Sequence, residues 1–431
     1  MEICSFLTKI INKICIYHFF YVLLQSKTKK TISMIADFSV ENFYSIRTKQ
    51  TLSFVPTIEK YLSDTYLVEV TPNVKLLRLG IVYGANASGK TKLLQALDFF
   101  RKLLMVYPSS RTDAIDYYPF LLDSDSKTTP SKMQMNFYLE GERYCLDLEF
   151  DRQHILKEQL SVYTSVRPSM LYARSYIKGN DSTRVEFGKA LQLNRHDQDI
   201  IYGNTLNNCS VLAAFGKSNV EKTRLNTVYE WINHNFSVCI NPTNTSMDFL
   251  HKQLQQDEDK TLHTFIKQFL QKSDFNISEF DLSPDGKSIT FHHQTSSGDG
   301  TLPEALESNG TLRYMSIAVL LKYLLYNNQF MMIDELETSL HYELISYFFR
   351  FYLNNDTGTS QMLIATHDIN LLKEDFLRRD VVWFTDKNEN AETELVRLSQ
   401  LGLHKNLSPY NAYLQGKLVK LPFTGETYID K

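Results

Sequence analysis

Eight residues constrain this chain more than any others: Gly84-Ala85-Asn86-Ala87-Ser88-Gly89-Lys90-Thr91, which match the pattern G-x-x-x-x-G-K-[ST] in full. An apolar run from Leu76 to Tyr83 precedes them. Leu93, Leu94, Ala96, Leu97, Phe100, Leu103 and Leu104 follow at helical spacing. The segment reads as buried parallel strand, glycine loop, helix. Its glycines let backbone N–H groups curl around a polyphosphate at a helix N-terminus, while Lys90 has the reach for the β- and γ-phosphates and Thr91 offers a hydroxyl to Mg²⁺. Glycine is scarce in the chain, 16 of 431 residues, and four constrained positions arise by luck in a chain this long at only ~1–2%, given average residue frequencies.

The rest of the composition narrows the class. Hydrophobic residues make up 43% and charged residues 22%, with 46 Lys+Arg against 49 Asp+Glu. That is an ordinary globular balance, which disfavours global disorder, collagen-like repeats and a polybasic nucleic-acid binder. A net charge of −3 leaves nucleic-acid contact open through a local basic stripe, without arguing for it. Cys4, Cys15, Cys145, Cys209 and Cys239 are dispersed and lack C-x-x-C spacing, so they read as thiols in a reducing cytosol rather than a disulfide framework or zinc site. Residues 1–33 form a separate leader in which Lys9 and Lys13 precede an apolar run from Ile14 to Leu24, with Lys27, Lys29 and Lys30 after it. That run is too short to cross a bilayer, and no small-residue cleavage site follows. The leader is read as dispensable, with a docked helix or a membrane-surface contact as alternatives.

Along the chain, strand, turn and strand are expected from Ile35 to Phe54, and an antiparallel hairpin is expected where Met133 to Leu139 and Tyr144 to Phe150 alternate about Glu140-Gly141-Glu142-Arg143. A second such pair flanks Lys178-Gly179-Asn180-Asp181. Residues from about 205 to 275 look mainly helical, and strand returns at Ile289 to Phe291. Leu312, Met315, Val319, Leu320, Tyr323 and Leu324 make a helical stripe, followed by a buried strand Phe330 to Ile333, a helix from His341 to Leu353, a buried strand Met362 to Ala365 and a further strand at Asp380 to Phe384. The expected fold is α/β, with a mixed, mostly parallel sheet assembled from two distant halves of the chain, an antiparallel β subdomain and a helical insertion. The expected divisions are an extension at 1–33, a first lobe at 34–175, a mainly helical insertion with short strands at 176–300, a second lobe at 301–423 and a tail at 424–431.

Phe330-Met331-Met332-Ile333-Asp334-Glu335 ends a buried strand in two carboxylates. Asp334 is suited to holding a metal through water, and Glu335 to orienting or deprotonating an attacking water. His367 follows the next strand in Ile364-Ala365-Thr366-His367-Asp368. Strand C-termini of such sheets converge on a ligand, so a γ-phosphate contact is expected of it. Ser308 and Gly310, in Glu307-Ser308-Asn309-Gly310-Thr311-Leu312-Arg313, open a helix whose N-terminus can receive an anion or simply be capped.

In this order the motifs resemble ABC-type ATPases of the RecF/SMC kind, and more closely the bacterial AAA-15/AAA-21 ATPases related to abortive-infection proteins and to the ATPase half of OLD nucleases. The resemblance covers about Met34 to Phe423. It includes a signature at Ser308 to Thr311, a D-loop at Glu337-Thr338-Ser339-Leu340-His341 and a C-terminal tail at Asn411 to Lys417 with Pro422-Phe423. It implies a P-loop NTPase of ABC-ATPase type, with ATP and Mg²⁺ as cofactors. Nucleotide would be bound by Gly84 to Thr91, metal by Thr91 and Asp334, with Glu335 and His367 catalytic. It also implies a homodimer in which Ser308 and Gly310 contact the opposite protomer's ATP. Asn309 stands where the transporter-type signature has its second glycine, and no glutamine-loop residue is placed.

The function expected is a cytoplasmic ATPase acting as motor or sensor of a bacterial defence or DNA-processing system, with a nuclease or toxin as effector partner, no stable membrane insertion, and nucleic acid as an open partner class. The alternative is a non-hydrolysing ATP-dependent switch or scaffold, against which Glu335 argues. A self-contained nuclease of OLD type would need a further acidic domain in the 64 residues after His367, and a transporter subunit would not separate Ser308 from Lys90 by 218 residues.

Overall fold

The computed structural model describes residues 32–241, 247–273, 275–296, 298–355, 359–403 and 407–419. The leader up to Thr31, Pro422-Phe423 and the tail at 424–431 lie outside the described residues. The chain divides into two compact units: a flanking unit built from Ile35–Tyr229 and Ala365–Lys431, and a central unit built from Glu230–Ile364 with Met1–Met34.

The first stretch of the flanking unit supplies β1 (Ser33–Glu41), β2 (Gln50–Ser53), β3 (Leu67–Thr71), β4 (Val74–Leu77) and β5 (Leu79–Tyr83), then helix α1 (Lys90–Met105). The run expected as one strand from Leu76 to Tyr83 is in fact two strands. β4 pairs antiparallel with β3, the chain turns at the buried Arg78, and β5 alone continues into the phosphate loop. Then come β6 (Ser131–Leu139), β7 (Glu142–Phe150), β8 (Ile155–Tyr163), β9 (Ser169–Ile177) and β10 (Ser182–Phe187). These join β1 and β2 in a seven-stranded sheet of order β10-β9-β8-β7-β6-β1-β2. The expected hairpins are present: β6 and β7 turn tightly at Glu140 (φ 54°) and Gly141 (φ 83°), positive values that a two-residue hairpin loop demands. The resulting register sets Met133 against Leu148, Met135 against Leu146 and Phe137 against Tyr144. α1 buries Leu93, Leu94, Leu97, Phe100 and Leu104. Its Phe100 meets Phe38 edge-on at 5.5 Å and its Phe99 lies 5.2 Å from Phe150, so the helix that begins at the loop is anchored to this sheet. Helices α2 (Arg195–Asn204) and α3 (Val211–Gly216) follow, and α4 (Arg224–His234) carries the chain into the central unit.

There, β11 (Phe236–Ile240) lies in a region expected to be helical. Its five residues, Phe-Ser-Val-Cys-Ile, are too few to show a period, and pairing parallel to the later strand β15 is what makes them a strand. Helices α5 (Met247–Gln255) and α6 (Thr261–Gln271) precede an antiparallel sheet of β12 (Ile277–Leu282), β13 (Ile289–Thr295) and β14 (Gly298–Pro303). Next are α7 (Asn309–Tyr326), β15 (Phe330–Asp334), α8 (Tyr342–Asn354) and β16 (Gln361–Thr366), with strand order β11-β15-β16. α7 is buried on nearly every side, as befits a helix packed within a core rather than on its surface. Phe269 of α6 stacks on Tyr314 of α7 at 4.6 Å and meets Phe351 of α8 edge-on.

Back in the flanking unit, β17 (Val382–Lys387) pairs parallel to β5 and antiparallel to β18 (Thr393–Arg397), and α9 (Pro409–Leu414) follows. The architecture is thus α/β, with the parallel pairings β5–β17 and β11–β15 beside antiparallel sheets. No helix among the described residues is long and apolar enough to cross a membrane.

Candidate functional site

In the flanking unit the loop from Gly84 to Gly89 joins β5, all five of whose residues are buried, to the first turn of α1. Ser88, Gly89 and Lys90 are buried, Ala85 and Thr91 half-buried, and Asn86 and Ala87 exposed at the tip. The backbone is left-handed at Ala87 (φ 63°) and Gly89 (φ 114°). Successive N–H groups turned inward by such a conformation form an anion-binding concavity. α1 has 16 residues, Gly89 is its N-cap, and no side chain caps it. Its first turn, Lys90 to Leu93, carries no carboxylate. A helix N-terminus left in this state retains N–H donors and partial positive charge for an anion. The residues present therefore fit a phosphate group.

Lys90 is 4% exposed, and its Nζ donates to the carbonyls of Gly84 (2.8 Å) and Ala85 (3.0 Å). The same Nζ lies 3.3 Å from Nδ1 of His367. An ammonium only donates, so Nδ1 must accept and the imidazole proton sits on Nε2, the form that can donate to a phosphate oxygen. His367 itself is exposed. Loop lysine and histidine, 277 residues apart in sequence, are thus brought to one place.

Two residues that the sequence did not single out complete the surroundings of this loop. Thr385 of β17 hydrogen-bonds through Oγ1 to Ser88 Oγ at 2.6 Å and donates to the Tyr83 carbonyl. Thr393 of β18 donates to the Ser88 carbonyl at 2.9 Å and hydrogen-bonds to Ser45 Oγ. Both threonines press on the glycines. A Cβ at Gly84 would lie 2.4 Å from Thr385 Oγ1, and one at Gly89 2.2 Å from Thr393 Oγ1.

In the central unit Asp334 is the last residue of β15 and is 6% exposed. Glu335 follows, half-buried and at φ 54°, a left-handed conformation that costs a non-glycine residue of order 1 kcal/mol and recurs at functional sites. Its carbonyl accepts from Arg313 of α7 at 3.1 Å. Burial pushes the Arg313 guanidinium downward from its ordinary value, opposed by the charges of Glu337 and Glu335. Ser308 is the N-cap of α7: its Oγ accepts from the Thr311 N–H at 3.0 Å. Glu307 fixes this cap by accepting from the Ser308 N–H (2.7 Å) and the Thr311 hydroxyl (3.0 Å), and by pairing with His293 of β13 (2.8 Å). A Cβ at Gly310 would meet the Ser339 carbonyl at 3.5 Å, so the signature and D-loop segments are neighbours, and the contact is an ordinary one that does not require glycine. Among the described residues no group of three or more His, Cys, Asp or Glu is arranged to hold a metal. A Mg²⁺ held by one hydroxyl, one carboxylate, phosphate oxygens and water would need no such group.

A family model described as "AAA domain, putative AbiEii toxin, Type IV TA system" matches residues 81–208 and 209–373, from within β5 to beyond His367. Two solved structures are similar in chain course. One is "SMC head domain from Thermotoga maritima", 12% identical at a TM-score of 0.42, over 84% of this chain and 98% of that one. The other is titled "Crystal structure of the SmcHead bound to the C-winged helix domain of ScpA", 11% identical at a TM-score of 0.40, over 85% of this chain and 99% of that one. None of the curated proteins compared with the chain is a match. The family match spans well over half of the sequence and contains every residue singled out from Gly84 to His367, and the chain belongs to this AAA-domain family.

Proposed function

We propose that the chain binds ATP with Mg²⁺ through Gly84 to Thr91 and hydrolyses it. The observation that carries this reading is the buried Lys90 Nζ, set among the loop carbonyls beside His367 Nδ1 at an uncapped helix N-terminus. Lys90 and the loop N–H groups would hold the phosphates, and His367 Nε2–H would donate to the terminal one. Thr91 and Asp334 would hold the metal, which supplies charge neutralisation to the phosphates when bound. Glu335 would orient or deprotonate the attacking water, its backbone held by Arg313. Ser308 and Gly310, exposed and half-buried at the start of α7, would face the nucleotide of a second copy in an ATP-bridged homodimer. The absence of any packing need for glycine at position 310 supports an approach from outside the chain. In the cell the ATPase would serve as motor or sensor of a cytoplasmic defence or DNA-processing system and act on a nuclease or toxin partner. The family's printed description is in keeping with that role.

The direct test is Lys90→Ala, assayed by titration calorimetry with Mg-ATP and by phosphate release. Binding should weaken at least about a hundredfold and turnover should disappear, since a buried cation that contacts the transferred phosphoryl group is lost. Unchanged turnover would refute the assignment.

A further inference from the structure

We infer that Thr385 and Thr393, on the C-terminal hairpin β17–β18, are positioning residues for the phosphate loop: they hold it in its nucleotide-receiving shape before nucleotide arrives. The inference rests on the reading that this loop binds ATP.

The two hydroxyls grip the same loop residue from different sides. Thr385 takes the Ser88 side-chain hydroxyl at 2.6 Å and Thr393 the Ser88 carbonyl at 2.9 Å. Both threonines are 1% exposed and Ser88 is 3% exposed, so water does not compete for these bonds. Each threonine is secured in turn. Thr385 donates to the Tyr83 carbonyl at the end of β5. Thr393 is joined to Ser45 twice, hydroxyl to hydroxyl at 2.8 Å and through its N–H to the Ser45 carbonyl at 2.7 Å. Glu392, beside Thr393, pairs with Arg47 at 2.8 Å. The close approach of these threonines also accounts for the motif's glycines from inside the protein, because a Cβ at Gly84 or Gly89 would fall within 2.4 Å of a threonine oxygen. A loop with two left-handed residues is costly to order. Ordering it in advance with buried hydrogen bonds removes that cost from the binding step, which is preorganisation acting on affinity. Turnover at saturating nucleotide depends on groups that these threonines do not touch.

The test uses the full chain with Mg-ATP as probe, and thermal unfolding as the check on folding. Thr393→Val keeps the shape and loses the hydroxyl, whereas Thr393→Ser keeps the hydroxyl. Thr393→Val should raise the ATP Kd and KM about tenfold, with kcat changed less than about twofold, and Thr393→Ser should restore Kd to within about threefold of the parent, since one buried hydrogen bond to the loop is at stake. Thr385→Val should behave like Thr393→Val and provides the same test if one variant folds poorly. Because Thr385→Val and Ser88→Ala both remove the bond between these two hydroxyls, the double variant should bind no more than about twofold more weakly than the worse single variant. Wild-type affinity in Thr393→Val and Thr385→Val, measured beside a Lys90→Ala protein that has lost ATP, would overturn the inference and leave the nucleotide site standing. A Thr393→Ser protein as weak as Thr393→Val would also overturn it, because packing and not the hydroxyl would then be responsible. If Lys90→Ala still binds ATP normally, the nucleotide reading fails, and this inference with it.

Discussion

The phosphate loop in the flanking unit and the signature turn in the central unit are both short glycine-bearing segments at the start of a helix, and the fold treats them in opposite ways. Gly84 and Gly89 are crowded by Thr385 and Thr393, so the chain's own packing dictates glycine there. Gly310 is not crowded, with the Ser339 carbonyl at ordinary contact distance from an added Cβ. The helix after the phosphate loop is left without a side-chain cap, while the one after the signature is capped by Ser308 and braced by Glu307. The contrast separates two kinds of motif glycine: one demanded by neighbours within the chain, and one that those neighbours do not require. The first segment thus fits an anion at its uncapped helix start, and the second is capped by the chain itself.

The largest effect expected lies at Glu335, which follows both segments in sequence. Glu335→Gln should keep ATP binding and slow hydrolysis by roughly 10²–10⁴-fold if the carboxylate is the base, and the stalled protein should double in mass on addition of ATP, as read by light scattering. Normal turnover in this variant would leave Glu335 without a catalytic role, whereas a parent protein that binds ATP but never releases phosphate would favour the switch reading. The comparison of glycines predicts a loss of stability at one position and none at the other. Gly89→Ala should destabilise the fold by about 2–4 kcal/mol in denaturant unfolding, through overpacking against Thr393 and a left-handed alanine. Gly310→Ala should leave stability unchanged or raise it by up to about 0.5 kcal/mol, since alanine is the better helix residue, yet reduce ATP-dependent association of Glu335→Gln. If Gly310→Ala destabilised the chain like Gly89→Ala, the distinction would collapse. The smallest expected change in stability is the most pointed: Ser308→Asp preserves a good N-cap, within about 0.5 kcal/mol, while placing a negative charge where the second copy's triphosphate would sit. Introduced into Glu335→Gln, it should abolish the ATP-dependent doubling of mass and spare the ATP affinity of the single chain.

How far the site could be read in advance varies from residue to residue. Gly84 to Thr91, Asp334, Glu335 and His367 stand at strand ends that apolar runs mark plainly, and the structure places each of them at the end of β5, β15 or β16 as expected. Thr385 and Thr393 carried no such mark. Threonine is ordinary in a strand, and nothing in Phe-Thr-Asp-Lys or Glu-Thr-Glu-Leu points to a loop residue 297 and 305 positions earlier. Arg313 was visible only as part of the signature helix, and its contact with the Glu335 carbonyl depends on how α7 packs beside β15. The same division runs through the fold. The hairpins at Glu140-Gly141 and Lys178 to Asp181 were legible because turn chemistry and two-residue alternation are local. β11 was not, being five residues that become a strand by pairing with β15, and neither was the break at Arg78 that detaches β4 from β5.

What the sequence determined by itself is the chemistry offered at each strand end, since a strand, a loop that admits positive φ and a helix start are all specified within a dozen residues. Only the tertiary structure decided which hydroxyls hold that loop, which arginine holds the carbonyl of Glu335 and which glycine the packing truly requires. Those contacts join residues remote in sequence, and their strength comes from shared burial, which no local pattern encodes.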